Sequence, residues 1–194
     1  MQRAVCQVTM NEWETEKFMH QYHFERKDWE LMGHVKQQTE KVMQVSCFYE
    51  LLEKGVFCQE GKSIVAAMTL GAGVDALEDG LMQEGKMLEA YMVECFAQFY
   101  LEKAYGIFRT LFREREGIGL GKFHFLGDAY PLELTPELFR YLPQDEVTYN
   151  EAYVLIPQKS VSFMAPLTEK EHTGSEKDCA NCLAREKCIG GKNS

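Results

Sequence analysis

Hydrophobic positions along this chain recur with two different spacings, and these predict its elements. Ile64-Val65-Ala66-Ala67-Met68 is an unbroken apolar run, the pattern of a strand covered on both faces. Two glycines follow, Gly71 and Gly73, and then Asp75, an acid able to cap a helix. Such a turn either joins two packed elements or brings backbone N–H groups up to a ligand. Beyond it the spacing changes to three and four: Leu88, Tyr91, Met92, Cys95, Phe96, Phe99, Phe108, Leu111 and Phe112 make the stripe of a buried helix face. Unbroken from Lys86 to Arg115, that helix would be about 45 Å long, so a break near Gly106 is expected, with Gly85 as a boundary. Glu94 falls beside the apolar stripe, where a carboxylate either reaches solvent or needs a partner or ligand.

Upstream, Thr9-x-x-Glu12 reads as a capping box opening a helix with Trp13, Phe18, Met19 and Tyr22 on its apolar side. A mostly polar helix from about Trp29 to Met43 packs on one side only. Val45 to Leu52, a Glu53-Lys54-Gly55 turn and Val56 to Gln59 read as a short hairpin. Downstream, the alternating glycines Gly117, Gly119 and Gly121 leave a helix instead of entering one. They also lack the lysine and hydroxyl of a phosphate loop, so they form a connector. Lys122 to Tyr130 is an irregular loop or short strand. Thr135-Pro136-Glu137 opens a helix that Pro143 closes. Val147 to Ile156 and Ser160 to Pro166 are β-rich runs around Pro157-Gln158-Lys159, predicting an antiparallel hairpin.

Composition narrows the function. With 194 residues, 45% hydrophobic, the chain carries a core of its own. Its net charge of −9 disfavours nucleic acid and anionic membranes as partners. The absence of a transmembrane-length apolar stretch or a signal-peptide pattern predicts a cytoplasmic protein. No catalytic triad or acid–base pair is legible. His20 and His23 stand three apart, without a carboxylate or cysteine at ligand spacing.

Of seven cysteines, Cys6, Cys47, Cys58 and Cys95 are scattered and read as small buried hydrophobes or spare thiols. Cys179, Cys182 and Cys188 crowd the tail. Thiolates that close repel one another unless a soft cation or an iron–sulfur cluster relieves them. Zinc would take a fourth ligand from His172 or a scattered cysteine, and a four-iron cluster could leave one iron open. Free thiols or a redox pair are the alternative. The resulting organisation is an N-terminal helical segment (1–44), an α+β domain (45–168) and a cysteine-rich tail (169–194).

Three stretches carry a family resemblance: Thr69-Leu70-Gly71-Ala72-Gly73-Val74-Asp75, Tyr130-Pro131-Leu132-Glu133-Leu134, and Glu151 through Ser162. They resemble the activation domain of cobalamin-dependent methionine synthase, including stand-alone bacterial proteins of that type with a C-terminal cysteine cluster. The resemblance spans roughly residues 45 to 190. It implies an α+β fold, a twisted antiparallel sheet with long helices packed on it, and S-adenosylmethionine in a shallow groove. The implied role is to present that methyl donor to an oxidised corrinoid on a partner methyltransferase, with an electron-donor protein supplying reduction. Glu94, in Val93-Glu94-Cys95-Phe96-Ala97, matches the family's ligand-side helix carboxylate, which implies a contact with the donor's ammonium group. The family's Arg-x-x-Pro-Gly-Tyr motif is replaced. Registered on Pro131, its four places hold Lys122, Phe125, Leu126 and Gly127, and lysine does not reproduce a bidentate fork to a carboxylate. The resemblance thus assigns Glu94 and Lys122 to the donor site. A scaffold retained for a metal or iron–sulfur module at Cys179, Cys182 and Cys188 is the alternative function.

Overall fold

The computed structural model describes residues 1–59 and 61–169. Cys179, Cys182, Cys188 and His172, and with them the expected thiolate cluster, lie outside the described residues.

The fold is α+β. Strands β1 (Gln2–Val5), β2 (Ser46–Leu52), β3 (Ser63–Thr69), β4 (Gly119–Leu120), β5 (His124–Phe125) and β8 (Ser160–Thr168) form one antiparallel sheet. Its order is β1-β2-β3-β8-β4, with β5 also paired to β8. A separate two-stranded ribbon joins β6 (Thr148–Tyr149) to β7 (Leu155–Ile156). The helices are α1 (Glu12–Gln21), α2 (Trp29–Val42), α3 (Ala72–Gln83), α4 (Met87–Glu116) and α5 (Thr135–Arg140).

Strand pleating divides the core in two. Cys47, Tyr49, Ile64, Ala66, Met68, Phe163 and Ala165 point to the layer of α1 to α4, with Phe18, Phe96, Tyr100, Phe108 and Phe112. Phe48, Val65, Ala67 and Met164 point the other way, onto Phe57, Leu138, Leu142 and Val147. Burial on both faces is why β3 reads as a continuous apolar run. Residues 1–44 join the same structure: β1 is an edge strand beside β2, and α1 and α2 cover the helical face.

Several expectations are corrected. Helix α1 is capped two residues later than predicted: Asn11 Oδ1 accepts from Glu14 N and Glu14 Oε2 accepts from Asn11 N, both at 2.9 Å. Trp13 is exposed and lies beside Lys17, whose Nζ stands 4.0 Å from the ring centroid. Val56 to Gln59 is no strand, because Phe57 turns inward to plug the second core. Strand β2 pairs instead with β3, Ser46 opposite Thr69. Helix α3 begins at Ala72 behind Gly71 at φ 88°, so Asp75 sits in its first turn and is free to bind elsewhere.

Helix α4 runs 30 residues without a break. Gly106 faces open space and removes no helical hydrogen bond, and the helix stops only at Gly117, whose φ of 71° suits glycine. Thr135 does not cap α5 from outside; it is the first helical residue, its hydroxyl donating to Leu132 O at 2.6 Å.

The expected hairpin between Val147–Ile156 and Ser160–Pro166 does not form. Asn150 Oδ1 accepts from Ala152 N and Val154 N at 2.9 and 3.0 Å, folding the first run onto itself as β6–β7. The second run fills the slot beside β3.

Candidate functional site

The ladder on β8 leaves part of one edge open. Strand β5 pairs with Met164 and Phe163, β4 with Thr168 and Leu167, and Leu126 N donates to Ser162 O at 3.2 Å. On the other side Leu70 N donates to Lys159 O at 3.0 Å. Alternation then turns the backbone N–H and C=O of Ser160 away from β3, toward an edge that no described strand pairs with.

That edge floors a groove of about 360 Å3, through Ser160, Val161 and Ser162. One wall is Phe125 and Leu126 with Tyr105 of α4; Leu132 and the ribbon residues Tyr153 and Leu155 close the other sides. Tyr105 is set by Phe123, Phe125 and Phe163, whose ring centroids lie 5.8, 5.7 and 6.4 Å away. Tyr153 sits at φ 62° at the tip of the β6–β7 turn. Ser160 Oγ donates to Thr69 Oγ1 at 2.8 Å, and Thr69 Oγ1 accepts from Gly71 N at 2.9 Å, which ties the floor to the glycine turn before α3. Volume, aromatic walls and a few backbone polar groups are what a flat heteroaromatic ligand requires. A second groove of about 320 Å3 is lined in part by His124, Tyr130 and Met164.

One residue before the floor stands an ion-pair cluster. Lys159 Nζ lies 2.8 Å from Glu78 Oε2 and also bonds Glu94 Oε2. The other Glu94 oxygen, Oε1, accepts from Gln98 Nε2 at 3.2 Å. Asp75, one helical turn before Glu78, uses its carboxylate on the loop itself, accepting from Gln158 N at 2.5 Å and Lys159 N at 3.3 Å. Burial by itself would lower the Lys159 pKa, but the hydrogen bonds to Glu78 and Glu94 outweigh it and hold the ammonium above its ordinary value. Burial would likewise raise Glu94, and the bonds from Lys159 and Gln98 outweigh it and hold the carboxyl below its usual range. Glu94 and Tyr105 are eleven residues apart on α4, nearly in line and about 16 Å apart, so one helix face runs from the cluster to the groove.

Of the residues the sequence singled out, Glu94 is therefore engaged by Lys159, and Lys122 is exposed in the link between β4 and β5, outside both groove linings. Phe125 and Leu126, at two of the altered motif places, do line the groove. Sequence reasoning missed Asp75 and Glu78 as partners of Lys159. Their spacing of three, one face of α3, was the available signal. Cys6, Cys47 and Cys95 are buried free thiols; burial pushes Cys6 up to about 11 and Cys47 well above the ordinary thiol value. His20 and His23 are exposed, and no group of three metal-ligating side chains occurs among the described residues.

No protein-family model matches the chain, and no curated protein matches it. A crystal structure of the MetH reactivation domain bound to AdoHcy does match, with a TM-score of 0.53 at 13% identity, over 91% of this chain and 74% of that one. The fold is that of the MetH reactivation domain. At 91% of the chain, the similarity in backbone covers more than residues 45–190 alone. No helix among the described residues is long and apolar enough to cross a membrane.

Proposed function

We propose that this protein takes part in reductive reactivation of a corrinoid-dependent methyltransferase, its groove receiving S-adenosylmethionine or the thioether left when the methyl group is gone. The single observation that carries this reading is the open edge of β8. It puts the backbone N–H and C=O of Ser160 beside Tyr105, Phe125 and Tyr153, in a groove of about 360 Å3. Backbone groups read a purine edge and rings cover its face. That the MetH reactivation domain was crystallised with AdoHcy supports the same ligand class. S-adenosylmethionine supplies an electrophilic methyl group; this chain's residues bind and orient it. The corrinoid would be held by the partner methyltransferase, and an electron-donor protein would reduce it.

Titration of AdoHcy into the protein by calorimetry tests the reading. Saturable binding is expected, weakened about tenfold or more by Leu132→Trp, which fills the groove from an exposed position. No heat from AdoHcy or S-adenosylmethionine would remove the donor role.

The tail supports a second reading, a zinc or iron–sulfur module at Cys179, Cys182 and Cys188 on the same scaffold. The observation behind it is the Cys-x2-Cys spacing with a third cysteine six residues on.

A further inference from the structure

A donor of this class has two ends, a nucleoside and a zwitterionic amino-acid tail, and the site treats them differently. The nine residues lining the groove include no charged side chain. Lys159 directly precedes Ser160 of the groove floor, and on α4 Glu94 is the carboxylate in line with Tyr105. Glu94 and Glu78 of α3 already share an ammonium, that of Lys159. Both Glu94 oxygens have donors, one from Lys159 and one from Gln98. Lys159 is not a casual surface partner. Its side chain is 12% exposed and Glu78's 14%, while its backbone is fixed at both polar groups: N–H to Asp75 and C=O to Leu70 N. The third acid of the cluster thus holds the loop that holds the lysine.

From this we infer that Lys159 is the specificity determinant of the groove: its ammonium fills the cationic subsite between Glu78 and Glu94, so the groove grips the nucleoside–sulfur end of a sulfonium or thioether and gains nothing from an amino-acid tail. The inference rests on the groove being a nucleoside–sulfur site. A tethered ammonium in a preorganised loop competes at an effective concentration that a free ligand's ammonium does not match. An incoming ammonium would have to break two charge-assisted hydrogen bonds to make its own. The tail's carboxylate fares no better, since no guanidinium or ammonium lines the groove.

The test compares AdoHcy with 5′-methylthioadenosine, the same thioether nucleoside without the tail, by calorimetry on the full chain. Wild type is expected to bind the two within about threefold of each other. Lys159→Met is expected to tighten AdoHcy about tenfold, the scale of one charge-assisted bond, and to leave methylthioadenosine unchanged. Because that variant leaves two carboxylates facing each other, the double variant Lys159→Met/Glu78→Gln, which keeps a single free acid at Glu94, is run beside it with the same expectation. Wild type preferring AdoHcy by tenfold or more, or both variants leaving the ratio unmoved, overturns the assignment of Lys159 while the groove reading stands. Failure of every protein to bind either nucleoside overturns both.

Discussion

At the scale of single residues, Lys159 decides most. Deleting one member of a buried ion pair costs about 3–5 kcal/mol. Glu94 is 36% exposed, so water screens part of the loss, and Lys159→Ala should destabilise by about 1–2 kcal/mol, read from urea unfolding. The pH dependence carries a sign. The Lys159 ammonium is held above its ordinary value, so its contribution is complete below about pH 10 and is lost as pH climbs through the raised value. Glu94 is held below the usual carboxylate range, so its contribution is complete above about pH 5 and fades as pH falls through the lowered value. Lys159→Ala should flatten both limbs of the stability profile. Glu94 was legible in the sequence because it borders an apolar helical stripe. Its partner was not, because Lys159 lies 65 residues away in the chain and meets it only through the sheet. Local spacing holds no record of such a contact.

At the scale of elements, two glycines that both lie within helices have opposite roles. A Cβ on Gly73 would stand 2.6 Å from Val42 O, where α3 starts against the end of α2. Gly73→Ala must therefore push two helices apart, at a cost of about 1–3 kcal/mol. Gly106 has nothing within 4 Å and lies in the middle of α4, so Gly106→Ala should stabilise by about 0.5–1 kcal/mol. Thermal unfolding of the two variants should shift in opposite directions. The same pair shows where element reading fails. A glycine in a helical pattern counts as a break only by average propensity, and here the packing of Phe96, Tyr100, Phe108 and Phe112 against the sheet carries α4 through. Hairpin signals mislead for a related reason. Val56 and Phe57 are as apolar as a strand, and only the second core shows that Phe57 is a plug.

At the scale of the molecule, the fold class was legible because three short motifs carried a resemblance with which the unbroken apolar run and the helical stripe agreed, and 13% identity is enough for the backbone to match. What escaped was topology: which strand fills the slot beside β3 is set by long-range pairing, to which a β-rich run of nine residues gives no address. The tail is a separate question at this scale. On the second reading proposed above, anaerobically purified protein should carry bound metal, brown if iron–sulfur and colourless with about one zinc per chain otherwise. Cys182→Ser should lower that content severalfold and leave binding of AdoHcy unchanged. Metal-free protein as purified anaerobically would leave free thiols.

Helix α4 spans about 45 Å as one rod, and both Glu94 and Tyr105 stand on it. If the groove takes a guest as proposed, whatever opens or tightens around it must come from the opposite bank, the 127–134 segment and the β6–β7 ribbon. The rod works as a fixed ruler. Adaptation to guests of different length falls to those short loops, and a lengthened or shortened ribbon tip is where relatives serving other guests should differ.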